Sequence, residues 1–313
     1  MTEMATYIAV AVLQGVLLLL LAPLVSGITR KFRARMQTRK GPSIFQDYYD
    51  IAKLLKRQDV HSNASSNISK LTPALYIGVM IVLALGMPMA TRACPIPFLG
   101  DAILIIYLLA IPRFFFALTG IDSGSAYAGT GGARELIVGT LVEPSLMLAL
   151  FVAALACGTT NIGEMGQAIA SGTVSCPFSV ALAGVAFAVA CYIEMGKLPY
   201  DFAEAEQELQ EGPLAEMSGP SLAMMHMAIP MKQAIMASLL VAIFLPFGSA
   251  VDASFTGLLA GTGIYLLKVI VILLVTMVIE NVVSRVRWKL TGRQTWFVVA
   301  IAVCAFAFCV LGI

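Results

Sequence analysis

Eight runs of about 20 apolar residues constrain this chain more than any motif does. Each is long enough to cross the hydrocarbon of a bilayer as a helix. The spans are expected at roughly 5–28, 72–91, 101–120, 135–157, 179–197, 231–250, 257–283 and 295–312. The 313 residues are 59% hydrophobic and 12% charged, too apolar for a domain with a wet surface. The first run does not read as a cleaved signal peptide, because its leading end lacks Lys and Arg and a basic run follows it. The expected fold is an all-α integral membrane protein of about eight transmembrane helices. Residues 1–313 are expected to form a single transmembrane domain with cytoplasmic loops near 29–71 and 198–230.

Charge placement sets the expected topology. A basic block follows the first span: Arg30, Lys31, Arg33, Arg35, Arg39, Lys40, Lys53, Lys56 and Arg57. A second group, Arg285, Arg287, Lys289 and Arg293, follows the seventh. Loops rich in Lys and Arg stay in the cytoplasm. The loops assigned outside, near 92–100, 158–178 and 251–256, hold only Arg92 among basic residues. Eight spans then place both termini outside the cytoplasm. The expected location is the inner membrane of a bacterial or archaeal cell, with multiple passes.

Several chemistries find no support. None of the six cysteines forms a CxxC pair, so neither an iron–sulfur nor a zinc site is expected. Cys94 and Cys176 fall in outside loops and are a candidate disulfide pair, although sequence gives no distance. His61 and His226 are far apart and read as loop residues, which argues against a metal site. "GTGGAR" lacks the Gly-Lys-Ser/Thr ending of a phosphate loop. No internal repeat of the transporter kind is present, and no nucleic-acid partner is expected. "DYYDIAKLLKR" is amphipathic, with Ile51, Leu54 and Leu55 on one face, and suits a helix lying at the headgroups. "HSNASSNISK" after it reads as a turn or link. Its triplets at Asn63 and Asn67 resemble glycosylation sites but face the cytoplasm in this topology.

The densest charge lies in "YDFAEAEQELQEGP", Tyr200 to Pro213. On a helix Asp201, Glu204, Glu208 and Glu211 recur at i, i+3, i+7 and i+10 and share one face. Phe202, Ala205 and Leu209 line an adjacent face, Glu206 points elsewhere, and Gly212-Pro213 stops the helix. Crowded carboxylates repel, so some hold protons more tightly and titrate together. A solvated acidic helix is the plain alternative. The segment lies between apolar spans in a chain with few other charges, which favours a proton-handling role.

Ionisable residues inside spans are costly and usually functional. Arg134 and Glu135 begin the fourth span. Glu143 lies two turns deeper, followed by Pro144, which frees a backbone carbonyl. Glu194 ends the fifth span, Arg113 lies in the third beside "FFF", and Lys268 and Glu280 lie in the seventh. Structural ion pairs between helices would explain each one singly. Their joint placement, from membrane depth toward the acidic segment, favours a proton path, with Arg113, Arg134 and Lys268 as counter-charges. The Met-rich "EMSGPSLAMMHMAIPM" reads as adaptable packing, including against partner proteins.

"RARMQTRKGPSIFQDYYDIAKLLKR" and "EAEQEL" resemble the membrane subunit that joins the arms of respiratory complex I, called subunit 1 or H. "RFFFALTGIDSGSAYAG", "GARELIVGTLVEPSLML" and "YIEMGKLPYDFAEAEQELQEGPLAE" are more similar to the corresponding subunit of energy-converting NiFe hydrogenases of the formate hydrogenlyase and hydrogenase-4 type. The resemblance covers nearly the whole chain. It implies a complex I subunit 1-like fold with no redox centre of its own. The NiFe centre and iron–sulfur clusters would belong to partner subunits. It also implies docking of the hydrogenase large and small subunits and of iron–sulfur subunits, beside antiporter-like membrane subunits, in the lipid bilayer. The coupling role of the family's acidic loop falls on Glu204, Glu206, Glu208 and Glu211, and the basic Arg33, Arg35, Arg39 and Lys40 would serve docking. Complex I continues "EAEQEL" with a Val-Ala-Gly-Tyr-like stretch. Here Gln210-Glu211-Gly212-Pro213 follows, which counts against quinone binding and fits a hydrogenase. The alternative reading is the quinone-binding membrane subunit of a complex I-type NADH:quinone oxidoreductase.

Overall fold

The computed structural model describes residues 2–62, 65–250 and 255–312. The side chains of 2–6, 206, 255 and 289 lie outside that description, Glu206 and Lys289 among them, and so does Asn63. The helices in chain order are α1 (Thr2–Met36), α2 (Gln46–Leu55), α3 (Asn67–Gly86), α4 (Ala102–Asp122), α5 (Ala126–Cys157), α6 (Ile162–Ser171), α7 (Pro177–Glu194), α8 (Glu206–Leu209), α9 (Gly219–Phe244), α10 (Phe255–Val282) and α11 (Thr291–Val310). All but α2, α6 and α8 are long and apolar enough to cross a bilayer, eight among the described residues. Side-chain caps set several starts. Ser66 accepts from Ile68 N–H at the start of α3, and Asn161 accepts from Gly163 and Glu164 N–H at the start of α6.

Two spans begin more than two turns earlier than hydropathy places them. α5 starts at Ala126 instead of 135, and α9 at Gly219 instead of 231. Their first turns carry Gly, Ser and His, too polar to register as apolar runs, yet they pack against other helices instead of lipid. His226, expected in a loop, therefore stands on α9. Met225 and Met231 of the Met-rich stretch are fully buried and pack in the interior, while Met224 and Met227 are half-buried. The amphipathic helix forms as α2 and packs on α1 and α9. Ile51 is its buried residue, whereas Leu55 is exposed.

The bundle centres on α5, α7 and α9, with α3 and α4 against them. Ala183, Ala186 and Ala190 recur every three or four residues on α7 and are fully buried. Small residues at this spacing let membrane helices approach closely, since burial from water contributes little between helices in lipid.

Contacts between loops sort them into two ends. At one end, Asp59 accepts from Ser221, Asp201 accepts from Arg285, and Asp122 accepts from Ser69. At the other, Arg92 N–H donates to Ala250 O and Ala102 N–H donates to Thr160 O. The two basic groups and the acidic segment all belong to the first end. The expected Cys94–Cys176 pair is not brought together. Cys94 lies against Asn161, and Cys176 against Cys309.

Candidate functional site

Four helices bring buried and half-buried charges of both signs to one place. Arg113 of α4 is 6% exposed. Its guanidinium donates to Glu143 of α5 and to Glu194 at the end of α7. Its Nε lies 3.8 Å from Glu135 of α5. Lys232 of α9 is also buried, with Nζ 3.7 Å from Glu135 and 3.6 Å from Glu194. Each ion alone would be expensive at this depth, and the arrangement is tolerable only because cations and carboxylates share one another. Gly139 makes room for it. A Cβ there would stand 2.2 Å from Arg113 Nη1, so α5 needs a bare backbone where the guanidinium crosses it. Pro112, Pro144 and Pro230 lie inside α4, α5 and α9 close to the ions. Each proline removes one helix hydrogen bond and leaves a carbonyl free for water or a side chain.

The ions border a small cavity of about 40 Å³, lined also by Tyr76, Asp201 and Glu204, which is room for one or two waters. Glu194 Oε1 is buried without a hydrogen-bond partner among the described residues, an acceptor that a cavity water would satisfy. A larger cavity of about 610 Å³ lies beside it, bounded by α1, α2, α9 and the acidic segment. Asp201, Glu204, Ile229 and Gln233 line both, so they form the wall between the two spaces.

Two carboxylates stand in that wall, Asp201, which pairs with Arg285, and Glu204. Burial raises the Glu204 pKa to about 8, and the negative charges of Asp201 and Glu135 add to this against the opposing Lys232. Across the larger cavity Lys197 meets Glu280 at 3.7 Å, and Arg33 meets the same carboxylate at 2.9 Å. Burial lowers the Lys197 pKa, and Glu280 counteracts part of that shift.

The acidic segment is not the continuous helix that its spacing predicts. Only Glu206–Leu209 is helical, and Gln210, Glu211 and Gly212 all take positive φ. Gly212-Pro213 therefore follows the helix end and starts a 3₁₀ turn against α5. A Cβ at Gly212 would meet Ala203 O at 2.2 Å. The bends send the carboxylates apart instead of along one face. Asp201 pairs with Arg285 at 2.8 Å, Glu208 pairs with Arg134 at 2.6 Å, Glu204 lines both cavities, and Glu211 lines the larger. Trp288, beneath Arg134 and edge-on to Phe202, holds the segment to the loop before α11.

The predicted site residues thus divide. Glu135, Glu143, Glu194, Glu204 and Arg113 come together. Arg134 lies apart from them and pairs with Glu208 at the surface. Lys268 has no ion pair among the described residues; its ammonium donates to the carbonyls of Leu245 and Phe247, at the end of α9. Arg33 faces inward to Glu280, whereas Arg35, Arg39 and Lys40 are exposed. Lys232 and Lys197 were not singled out from sequence. Lys232 follows Pro230-Met231 at the expected start of a span, where a lysine passes as an interfacial residue. No group of three or more His, Cys, Asp or Glu among the described residues is placed to hold a metal ion.

The NADH dehydrogenase family matches residues 8–311. The chain belongs to that family. Hydrogenase-4 component C of Escherichia coli (strain K12) is 48% identical over 97% of this chain and 96% of its own length. Formate hydrogenlyase subunit 4 of the same strain is 44% identical over 94% and 96%. The fold recurs in the membrane-bound sulfane sulfur reductase, an archaeal respiratory membrane complex, with a TM-score of 0.84 at 24% identity over 96% of this chain and 98% of that one. The chain is thus a multi-pass membrane protein of a family whose members are subunits of membrane complexes.

Proposed function

We propose that this chain is the non-catalytic membrane anchor and proton-coupling subunit of a membrane-bound NiFe hydrogenase complex of the formate hydrogenlyase type. Hydrogenase large and small subunits and iron–sulfur subunits dock on the charge-dense end, and antiporter-like subunits flank the bundle in the membrane. The NiFe centre and iron–sulfur clusters reside in those partners. The charge-dense end faces the cytoplasm of a bacterial or archaeal cell, by its Lys and Arg content, and both termini lie outside.

One observation carries the coupling part: Glu204 stands in the wall between the docking-side cavity and the buried ion cluster. An electron arriving near the larger cavity raises the proton affinity of carboxylates that border it. Glu204 already holds a proton at neutral pH; the electron's arrival keeps it there, and its departure releases the proton through the small cavity toward Glu135 and Glu194. Glu143, whose side chain is 34% exposed, opens the path to the flank of the bundle and hence to a neighbouring membrane subunit.

Two experiments test the reading. Purification from membranes should bring down a large subunit with NiFe cysteine ligands; recovery of a quinone reductase instead refutes it. Glu206→Gln and Glu208→Gln should lower ion movement into vesicles during turnover while assembly survives. Wild-type coupling in both reduces the acidic segment to a solvated surface.

The quinone reading draws on the size of the larger cavity. Its lining includes Arg30, Arg33, Asp47, Asp50, Lys53 and Glu280, a charged wall unlike the mostly apolar surroundings of a small-molecule site. Turnover blocked by quinone-site inhibitors would restore it.

A further inference from the structure

We propose that Cys176 and Cys309 are joined by a disulfide at the end of the bundle opposite the charge-dense loops. This inference rests on the topology proposed above, which places that end outside the cytoplasm, where disulfides form and persist. Cys176 immediately precedes α7 and Cys309 lies in the last turn of α11. The Cys176 thiol reaches the Cys309 carbonyl oxygen at 3.7 Å. The register is fixed by the adjoining pair Phe178 and Phe308, whose rings meet edge to face with centroids 5.5 Å apart. α7 and α11 pack together, so the two backbones stay within reach. Turning the sulfurs toward each other about their side-chain torsions is what remains for a bond of about 2.0 Å.

The other cysteines have different neighbours. Cys94 contacts Asn161, Cys157 contacts the Met165 carbonyl, Cys191 is buried in α7 and Cys304 is exposed on α11. Cys309 is half-exposed and Cys176 buried, which orders the chemistry. The Cys309 thiolate attacks one sulfur of a disulfide-donor protein and expels that donor's other sulfur as a thiolate. The Cys176 thiol gives its proton to solvent and attacks the Cys309 sulfur of the mixed disulfide, releasing the donor's second thiol. The cysteine pair loses two electrons and two protons, and the donor becomes a dithiol. The product pins the end of α11, the span with the smallest buried share, at 22%, to the start of α7.

The test uses the full chain in membranes from cells whose free thiols are blocked at lysis. Peptide mass spectrometry without reduction should recover one cross-linked species containing Cys176 and Cys309. Reduction should expose two additional alkylatable thiols. Cys176→Ser or Cys309→Ser should abolish the species, and Cys94→Ser should leave it intact. Both thiols already blocked in wild-type protein, or Cys309 joined to a different cysteine, overturns the proposal. The Cys176→Ser variant identifies which premise failed. If an impermeant maleimide reaches its Cys309 only from the cytoplasmic side, the topology is wrong. If labelling comes from outside while the wild-type pair is free, the topology stands and the disulfide does not.

Discussion

Replacing Glu204 by Gln keeps the shape of the side chain and removes its ability to ionise. Burial raises the Glu204 pKa from 4.5 to about 8. At pH 7 the carboxyl is therefore about nine-tenths protonated. Linkage fixes the sign. A carboxyl held above its unfolded value destabilises the fold as pH rises. The penalty is absent below pH 4.5, grows through the interval to pH 8 and then levels off. Each pH unit contributes about 1.4 kcal/mol, so the full penalty at pH 7 is about 3 kcal/mol. Water in the adjoining cavities screens part of it and leaves about 2 kcal/mol. Glu204→Gln should accordingly raise the melting temperature of the detergent-solubilised complex by about 5 °C at pH 8 and leave it unchanged at pH 4. Infrared titration should show a protonated carboxyl band in wild type that fades around pH 8 and is missing in the variant. Parallel stability curves for the two proteins between pH 5 and 9, or a band that survives the substitution, would refute the assignment of Glu204 as the proton-holding carboxyl.

Arg113→Met leaves Glu135, Glu143 and Glu194 with Lys232 alone and should destabilise the bundle by about 3–5 kcal/mol, read as loss of the chain from the membrane fraction. Gly212→Ala places a Cβ at positive φ and against Ala203 O. It should unseat the acidic segment, raising its cleavage by added protease, while the spans remain inserted. Lys268→Met removes two bonds to carbonyls at the end of α9 and should cost about 1 kcal/mol in thermal stability. Ion movement should be unaffected, and a loss of coupling would mark Lys268 as a counter-charge. Joint reversal of Arg35 and Arg39 to Glu should reduce the peripheral subunits that copurify, and undiminished recovery would show that these exposed charges do not dock them.

The eight crossings were legible because lipid-length apolar runs have few alternatives. The mid-span ions were legible because Arg113, Glu143 and Glu194 stand out against such runs. Hydropathy lost the first turns of α5 and α9, since Gly, Ser and His lower the average although these turns face protein. Lys232 was hidden for the same reason. Charge spacing suggested one acidic face, but spacing assumes an unbroken helix. The left-handed residues Gln210 and Glu211, with the grip of Arg285 and Trp288 on the segment, redirect its carboxylates. Lys268 had an intramembrane carboxylate, Glu280, three turns along its own helix. It turned instead to the exposed carbonyls where α9 ends, partners that no sequence pattern marks.

The buried cluster sets two cations, Arg113 and Lys232, against three carboxylates, Glu135, Glu143 and Glu194. Fully ionised, two minus three leaves it one negative charge from balance. An even set of ions would already sum to zero, and an added proton would make it positive in a place that water barely reaches. The odd set instead reaches zero with a single added proton, so a path through it of the kind proposed above would carry protons one at a time.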